Sequence, residues 1–268
     1  MPNKYGRMQD QSNREELNHG RRRFIGGLGA LGATTLLSGC QWTHSQGVQN
    51  FLSRTQYFTE AATELIGSSH DLAREYSQSD ISPDFRKDGT VNPQNPAYQK
   101  LAANQFDDYK LPVTGLVENP ASYSLAQIRA MPARTQITRH DCVEGWSCIA
   151  QWTGVVLGHL LRQVKPQPHA KYVVFHCADY LLDSSQPYYE SLSLTQAHQP
   201  QTLLAYGMNG NTLPVAYGGP IRLRVPLQLG YKSAKYVMRL ELVDSFANIQ
   251  GGKGGFWEDR GYNWWAGI

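Results

Sequence analysis

The spacing of apolar and polar residues changes several times along the 268-residue chain, and each spacing predicts an element. Val48, Phe51, Leu52, Thr55 and Phe58 roughly follow helical spacing, which predicts an amphipathic helix. The stretch 81–100, ISPDFRKDGTVNPQNPAYQK, is rich in Pro, Asn, Asp and Gly and reads as loop. Leu111 and Val113, with Gly115 and Val117, read as a strand that turns at Asn119 and Pro120. Ser124 is placed to cap a short helix over LAQIRAM. Thr153 is placed to cap a second helix, GVVLGHLLRQV. Its Val156, Leu157, Leu160, Leu161 and Val164 share one face, and Pro166 ends it.

Strands dominate after that. KYVVFHCAD is continuously β-rich. PIRLRVPLQ alternates Ile221, Leu223 and Val225 against Arg222 and Arg224, and YVMRLELVDSF alternates Met238, Leu240 and Leu242 against Arg239 and Glu241. Helices and strands mix without a regular βαβ rhythm, so the expected class is mixed α+β. No internal repeat occurs.

One apolar run falls outside this scheme. Residues 24–37 are Gly/Ala-rich and apolar, follow Arg21, Arg22 and Arg23, and lead into Leu37, Ser38, Gly39 and Cys40. The run is too short to span a bilayer comfortably. It reads as a twin-arginine export signal followed by a lipoprotein cleavage box, with an ordinary basic signal peptide or a short anchor as the plainer alternative. Twin-arginine export carries folded proteins, so it raises the expectation of a cofactor inserted before export. The expected location is the periplasm. The membrane is then contacted only through a lipid on Cys40, where a diacylglyceryl and an N-acyl chain together anchor stably. The expected organisation is signal over 1–40, a polar and amphipathic lead-in over 41–80, and a catalytic body over 81–268.

Composition adds exclusions. The formal net charge of +3 is mild and no basic stripe is present, so nucleic acid is not an expected partner. A hydrophobic fraction of 41% is enough for a substantial core. The chain shows no G-x-G-x-x-G opening a helix, no phosphate-binding loop of the GxxxxGK type and no covalent-haem motif.

The cysteines are more informative. With Cys40 assigned to a lipid, Cys142, Cys148 and Cys177 remain, an odd number that excludes complete pairing. Cys142 sits in HDCVEGWSCIAQW. It could be a buried core thiol, or half of a disulfide with Cys148 or Cys177. As a nucleophile it would need support from His140, His159, His176 or His198. As a zinc ligand it would join His140, His176 and Cys177, whose spacing matches no finger or ribbon pattern. The remaining reading is a single soft thiolate on a metal carried by an organic cofactor. That reading needs cations for a phosphate. Arg222 follows AYGGP, and Lys232 and Lys235 flank Ser233 and Ala234 in LGYKSAKYV, whose amides would form an anion-binding concavity. Two solvated lysines are the plain alternative.

These stretches together resemble a known family. TRHDCVEGWSCIAQWTGVVLGHLL resembles the cysteine segment of the sulfite oxidase-like molybdopterin-dependent oxidoreductases, in the branch that includes the periplasmic protein-methionine-sulfoxide reductase catalytic subunits. GGPIRLRVPLQLGYKSAKYV is similar to that family's G-x-P-x-R-L and K-x-x-K segment, and HQPQTLLAYGMNGNTLP to its H-P-x-T-L stretch. The likeness runs from about residue 80 to the end.

The resemblance implies the family's single-domain α+β fold and one mononuclear molybdenum on a molybdopterin. Cys142 would be the metal's protein ligand, and Arg222, Ser233, Ala234 and Lys235 would hold the pterin phosphate. Asp88, Cys177 and Tyr217 fall at cofactor-contact positions where the family has other residues: asparagine for Asp88, threonine for Cys177, asparagine or histidine for Tyr217. His140 would line the substrate side as a catalytic candidate, or cap a strand end. Trp146 and Trp152 would wall the pocket or serve as core, and Glu144 would accept a hydrogen bond near the metal or be a helix-start acid.

Such enzymes transfer an oxygen atom with two electrons. Sulfite oxidases carry an arginine just after the ligating cysteine, whereas here the next arginine after Cys142 is Arg162. Reduction of a sulfoxide or N-oxide type substrate, small-molecule or protein, is therefore expected. The alternatives are sulfite-type oxidation with a cytochrome acceptor, or a non-catalytic ligand-binding lipoprotein. The expected electron partner is a separate cytochrome or quinol-linked membrane haem protein. The chain ends soon after the phosphate segment, without the further dimerisation domain of sulfite oxidases, so a monomer is expected.

Overall fold

The computed structural model describes residues 72–182 and 184–268. The export signal, the lipidation site and the amphipathic stretch 48–58 lie outside the described residues.

Among the described residues, after a 3-10 turn at Gln78–Asp80, the first α-helix is α1 (Pro96–Ala103), which starts inside the stretch expected to be loop. The Asn95 side chain accepts from the Ala97 and Tyr98 amides, and proline occupies the first turn, where its missing N–H costs nothing. That local cap overrides the loop-like composition around it. Strand β1 (Lys110–Gly115) follows as expected, and strand β2 (Ala121–Ser124), which the sequence did not suggest, pairs with it. Helix α2 (Leu125–Ala130) starts with a capping box in which Ser124 and Gln127 exchange side-chain and backbone hydrogen bonds.

Strands β3 (Ala133–Asp141) and β4 (Ser147–Val156) form a long hairpin. Here the expected helix start is corrected. Thr153 caps nothing: β4 runs on to Val156, and helix α3 (Leu157–Val164) begins without a side-chain cap. The reason is that β4 is paired on both sides, by β3 and by β7 (Leu203–Met208), so its backbone is held in two ladders. Thr153 Oγ1 lies 2.9 Å from Thr135 Oγ1 across the strands. The helical face itself is as expected: Leu157, Leu160, Leu161 and Val164 are all buried, at roughly 1.5–3 kcal/mol each. Lys165 turns left-handed and Pro166 follows.

Strands β5 (Tyr172–Cys177), β6 (Tyr189–Ser193) and β10 (Val237–Val243) complete a five-stranded sheet ordered β2-β1-β10-β5-β6, in which β1 and β10 are parallel. Helix α4 (Leu194–Ala197) leads from β6 towards β7. The second sheet is ordered β3-β4-β7-β8, with β8 (Asn211–Thr212) at the edge and β9 (Arg222–Arg224) also paired to β7. Both sheets and α3 share one apolar core that includes Val113, Leu161, Phe175, Leu204 and Leu240. The class is the expected α+β.

Two features prepare the site. On β4, Cys148, Ala150 and Trp152 face a second, smaller cluster, while Val155 faces the main core. The switch occurs at a register shift between Thr153 and Gly154, where a Cβ on Gly154 would stand 2.3 Å from the Leu204 carbonyl oxygen. On β9, the expected alternation of apolar and solvated residues fails, because Arg222 and Arg224 are as buried as Leu223. Both guanidinium groups lie over the Trp152 ring, at 5.0 and 4.8 Å from its centroid.

Candidate active site

The β3–β4 hairpin carries Cys142. Asp141 and Ser147 form its last strand pair, and Cys142 is the first residue beyond it. The Cys142 amide donates to the Trp146 carbonyl (2.9 Å) and the Gly145 amide to the Cys142 carbonyl (3.0 Å), with Gly145 at a left-handed φ of 88°. The hairpin tip is braced below by Asp141, which accepts from Ser147 Oγ (2.5 Å) and Arg139 Nε (2.9 Å). Cys142 thus projects from a closed turn into a cleft that is open to solvent on one side. Asp88, Asp179, Gly230, Tyr231, Ser233, Ala234 and Lys235 line the same cleft. Partial burial and the nearby Glu144 and Asp88 carboxylates push the thiol's pKa up.

Opposite the hairpin, residues 230–232 form a single 3-10 turn, after which Ser233, Ala234 and Lys235 pass along the cleft. Arg222 fastens this segment from behind: its guanidinium donates to the Ser233 and Tyr217 carbonyls, each at 3.0 Å. Lys235 is buried, and its ammonium donates to the carbonyls of Asp88 (2.6 Å) and Thr90 (2.5 Å). Burial pulls its pKa down to about 8. The plain alternative of two solvated lysines is therefore overturned. Lys232 is buried as well, with its ammonium on Glu190 and Glu258.

His140 lies behind the cleft wall. Its ring packs between Phe85 and Trp146, and a Cβ on Gly230 would stand 2.6 Å from its Nε2. Arg224 reaches its Nδ1 at 2.7 Å. A guanidinium has only donors, so Nδ1 accepts and the ring proton sits on Nε2. Nε2 faces the Asp88 carboxylate at 3.8 Å. Burial pushes the His140 pKa down to about 4, so the ring is neutral at neutral pH. A histidine with this tautomer has no free nitrogen to take a proton from Cys142, which removes it as the base of a cysteine hydrolase. Asp88 is held ionised, far below the ordinary carboxylate range, by His140, Arg222 and Lys235 against the opposing effect of burial.

The other expected contacts lie elsewhere. Cys177 is buried in the main core on β5, and burial drives its pKa well up. Tyr217 packs on Phe85 and donates its hydroxyl to the Phe85 carbonyl (3.0 Å), so it reaches the cleft region through its backbone contact with Arg222. Cys142, Cys148 and Cys177 are all free thiols. His176 is engaged by Glu241 (2.8 Å) and Arg239 (3.0 Å) on the first sheet. Among the described residues no three His, Cys, Asp or Glu side chains gather to hold a metal ion. Glu144 accepts from Trp146 Nε1 at 2.9 Å, and Trp152 serves both as core and as the platform for the two arginines.

One residue escaped the sequence reading. Asp179, two positions beyond β5, is buried in the cleft wall with its Oδ1 unpartnered, and burial raises its pKa to about 7. The only local signal was an acid directly after an apolar strand, which is common at solvated strand ends.

A partly exposed thiol and buried cations around one cleft suit a metal that arrives with most of its own ligands. Comparison with known proteins gives the family. Residues 98–248 match the oxidoreductase molybdopterin binding domain, and the chain belongs to that family. It is 37% identical over 249 residues to YedZ1 of Azospira oryzae, named as a protein-methionine-sulfoxide reductase subunit, covering 92% of this chain and 87% of the relative. It is 33% identical over 242 residues to the protein-methionine-sulfoxide reductase catalytic subunit MsrP of Campylobacter jejuni, covering 85% and 74%. Among solved structures, the sulfane dehydrogenase SoxCD of Paracoccus pantotrophus aligns with a TM-score of 0.47 at 25% identity, over 52% of this chain and 39% of that one.

The protein is a molybdopterin-dependent oxidoreductase, and its cofactor is molybdenum on a molybdopterin. The residues present fit such a group. The cleft offers one soft donor and one buried ammonium. The left-handed Gly218, where a Cβ would meet Lys235 Cβ at 2.9 Å, lets the lysine stem lie against the backbone.

Proposed function

We propose that this enzyme reduces a sulfoxide to a sulfide, consuming two electrons and two protons and releasing water. The observation that carries this reading is the charge of the cleft. Among its lining residues the single cation is Lys235, which in this reading serves the cofactor's phosphate and leaves none for a charged substrate. Val143, Leu181, Tyr231, Trp257 and Tyr262 supply apolar and aromatic surface, and Glu144 and Asp88 add negative charge. An oxyanion such as sulfite would meet little compensating charge there, whereas a neutral sulfoxide with apolar flanks would be accommodated. The names of the two relatives favour the same substrate class.

In this reading Cys142 holds the metal, while Ser233, Ala234 and Lys235, backed by Arg222, hold the cofactor's phosphate. When bound, the cofactor supplies the two-electron chemistry of oxygen-atom transfer. Arg224 holds the His140 ring so that its Nε2–H faces the Asp88 carboxylate, 3.8 Å away. Asp179 holds a proton near neutral pH on a carboxyl that faces the cleft, where the reaction consumes protons. Electrons would come from a separate haem-containing membrane partner. Residues 21–40 would direct twin-arginine export and lipidation at Cys40, giving a periplasmic, lipid-anchored enzyme.

The test pairs metal content with direction. Holoenzyme is expected to carry near-stoichiometric molybdenum and pterin and to oxidise a reduced viologen dye with methionine sulfoxide, whereas Cys142→Ala loses the turnover and alters the metal centre. Robust turnover of sulfite with a soluble acceptor, and none of sulfoxide, would refute the direction. Cells fed labelled palmitate should label the wild-type chain and not Cys40→Ser.

A further inference from the structure

Lys232 belongs to the K-x-x-K element but does not line the cleft that its neighbours Tyr231, Ser233, Ala234 and Lys235 line. Its side chain points the other way, and no part of it reaches solvent. The ammonium contacts Glu190 Oε1 and, at 2.8 Å, Glu258 Oε1, and it lies 5.3 Å from the centre of the Trp264 ring. Both carboxylates are buried too.

These three groups come from three separate segments. Lys232 closes the 3-10 turn that precedes the phosphate segment, with its own amide on the Leu229 carbonyl (3.0 Å). Glu190 sits in β6, where its Oε1 also accepts the Ser191 amide (2.7 Å). Glu258 sits in the C-terminal 3-10 turn Glu258–Arg260, beside the cleft residues Trp257 and Tyr262. Gly255 makes room for it, since a Cβ there would stand 2.0 Å from Glu258 Oε2.

We infer that Lys232 is a positioning residue rather than a phosphate cation: Glu190 and Glu258 hold its ammonium, and the cluster locks the phosphate turn to β6 and to the C-terminal rim of the cleft. The inference rests on the cofactor site proposed above. A buried ammonium enclosed by two carboxylates has no field to spare for a phosphate across the turn. Burial and the neighbouring Glu258 push the Glu190 carboxyl up, and the Lys232 ammonium opposes that shift. The lysine therefore fixes where Ser233, Ala234 and Lys235 stand, and those residues meet the cofactor.

The two roles predict opposite signs. The double variant Glu190→Gln and Glu258→Gln keeps the side-chain volumes and strips the lysine of its counter-charges. A phosphate cation would then bind the cofactor as well as before or more tightly. A positioning residue would lose its hold on the turn, and molybdenum and pterin per chain should fall on the order of tenfold in the purified holoenzyme. The second readout is the difference in thermal midpoint between loaded protein and protein made in cells that synthesise no pterin. That difference reports cofactor binding by linkage and should shrink by more than half. Wild-type or higher cofactor content overturns the inference. So does an equal loss of stability in loaded and empty protein with the difference intact, because the cluster would then be structural only.

If the double variant does not fold, the uncharged triple Lys232→Met, Glu190→Gln and Glu258→Gln removes the stranded charge. It is expected to fold with the same reduced difference, and a wild-type difference in that protein overturns the inference. Wild-type holoenzyme that carries no molybdenum or pterin would instead overturn the cofactor reading beneath it.

Discussion

Asp179→Asn should stabilise this enzyme by an amount that grows from about pH 4 to pH 7 and is level above that. The carboxyl is buried in the cleft wall, with one oxygen unpartnered and its pKa raised by burial to about 7 from 3.8. Nearby Lys235 opposes the shift and Asp88 adds to it. Because the folded chain holds this proton more tightly than the unfolded one, it binds more protons between about pH 4 and pH 7. Stability therefore falls as pH rises through that window and is level above it. At 1.36 kcal/mol for each pKa unit, ionising Asp179 in place costs about 4 kcal/mol. Asparagine has the shape and charge of the protonated acid and removes the cost. Relaxation around the ionised group reduces the gain, so the variant should exceed wild type by roughly 2–4 kcal/mol at pH 8 and match it near pH 4. For a chain of this size that is a rise of about 5–15 °C in thermal midpoint at pH 8. Calorimetry of both loaded proteins at pH 5 and pH 8 measures it. Midpoints that move in parallel between the two pH values would show that Asp179 is not the group that titrates.

Other perturbations act on the walls of the same site. Gly230→Ala places a Cβ 2.6 Å from His140 Nε2 and 2.7 Å from Cε1, on a ring already wedged between two aromatics. It should cost about 1–3 kcal/mol and reduce molybdenum content, read by unfolding midpoint and metal analysis. Arg224→Lys loses the fork that joins His140 Nδ1, Ser233 Oγ and the Arg139 carbonyl. It should destabilise by about 1–3 kcal/mol, because Nδ1 becomes a buried acceptor without a donor. Nitrogen-15 spectra should show the Nε2–H tautomer of His140 in wild type and its loss in the variant.

Much of the fold was legible from short-range patterns. The Ser124 capping box, the buried face from Leu157 to Val164, and the strands β1, β5 and β10 follow from spacing and capping within a few residues. The Asn95 and Pro96 start of α1 was equally local, and an averaged composition hid it. Cys142 became a metal-ligand candidate because a motif is a local string. The partnerships of the charged residues were not legible, since each depends on a segment distant in the chain. Arg222 and Arg224 alternated with apolar residues along a strand, yet both are buried and cover Trp152, which lies on β4. Lys232 looked like a cation for a ligand and instead bridges Glu190 and Glu258. Asp179 drew no attention as an acid after a strand, and it is buried. Thr153 looked like a helix cap until β3 and β7 took up the backbone on both sides of it. Periodicity records which residues avoid water. Whether a charged side chain meets water, an opposite charge or an aromatic face is decided only when remote strands and turns close around it, and in this enzyme that closure sets the chemistry of the cleft.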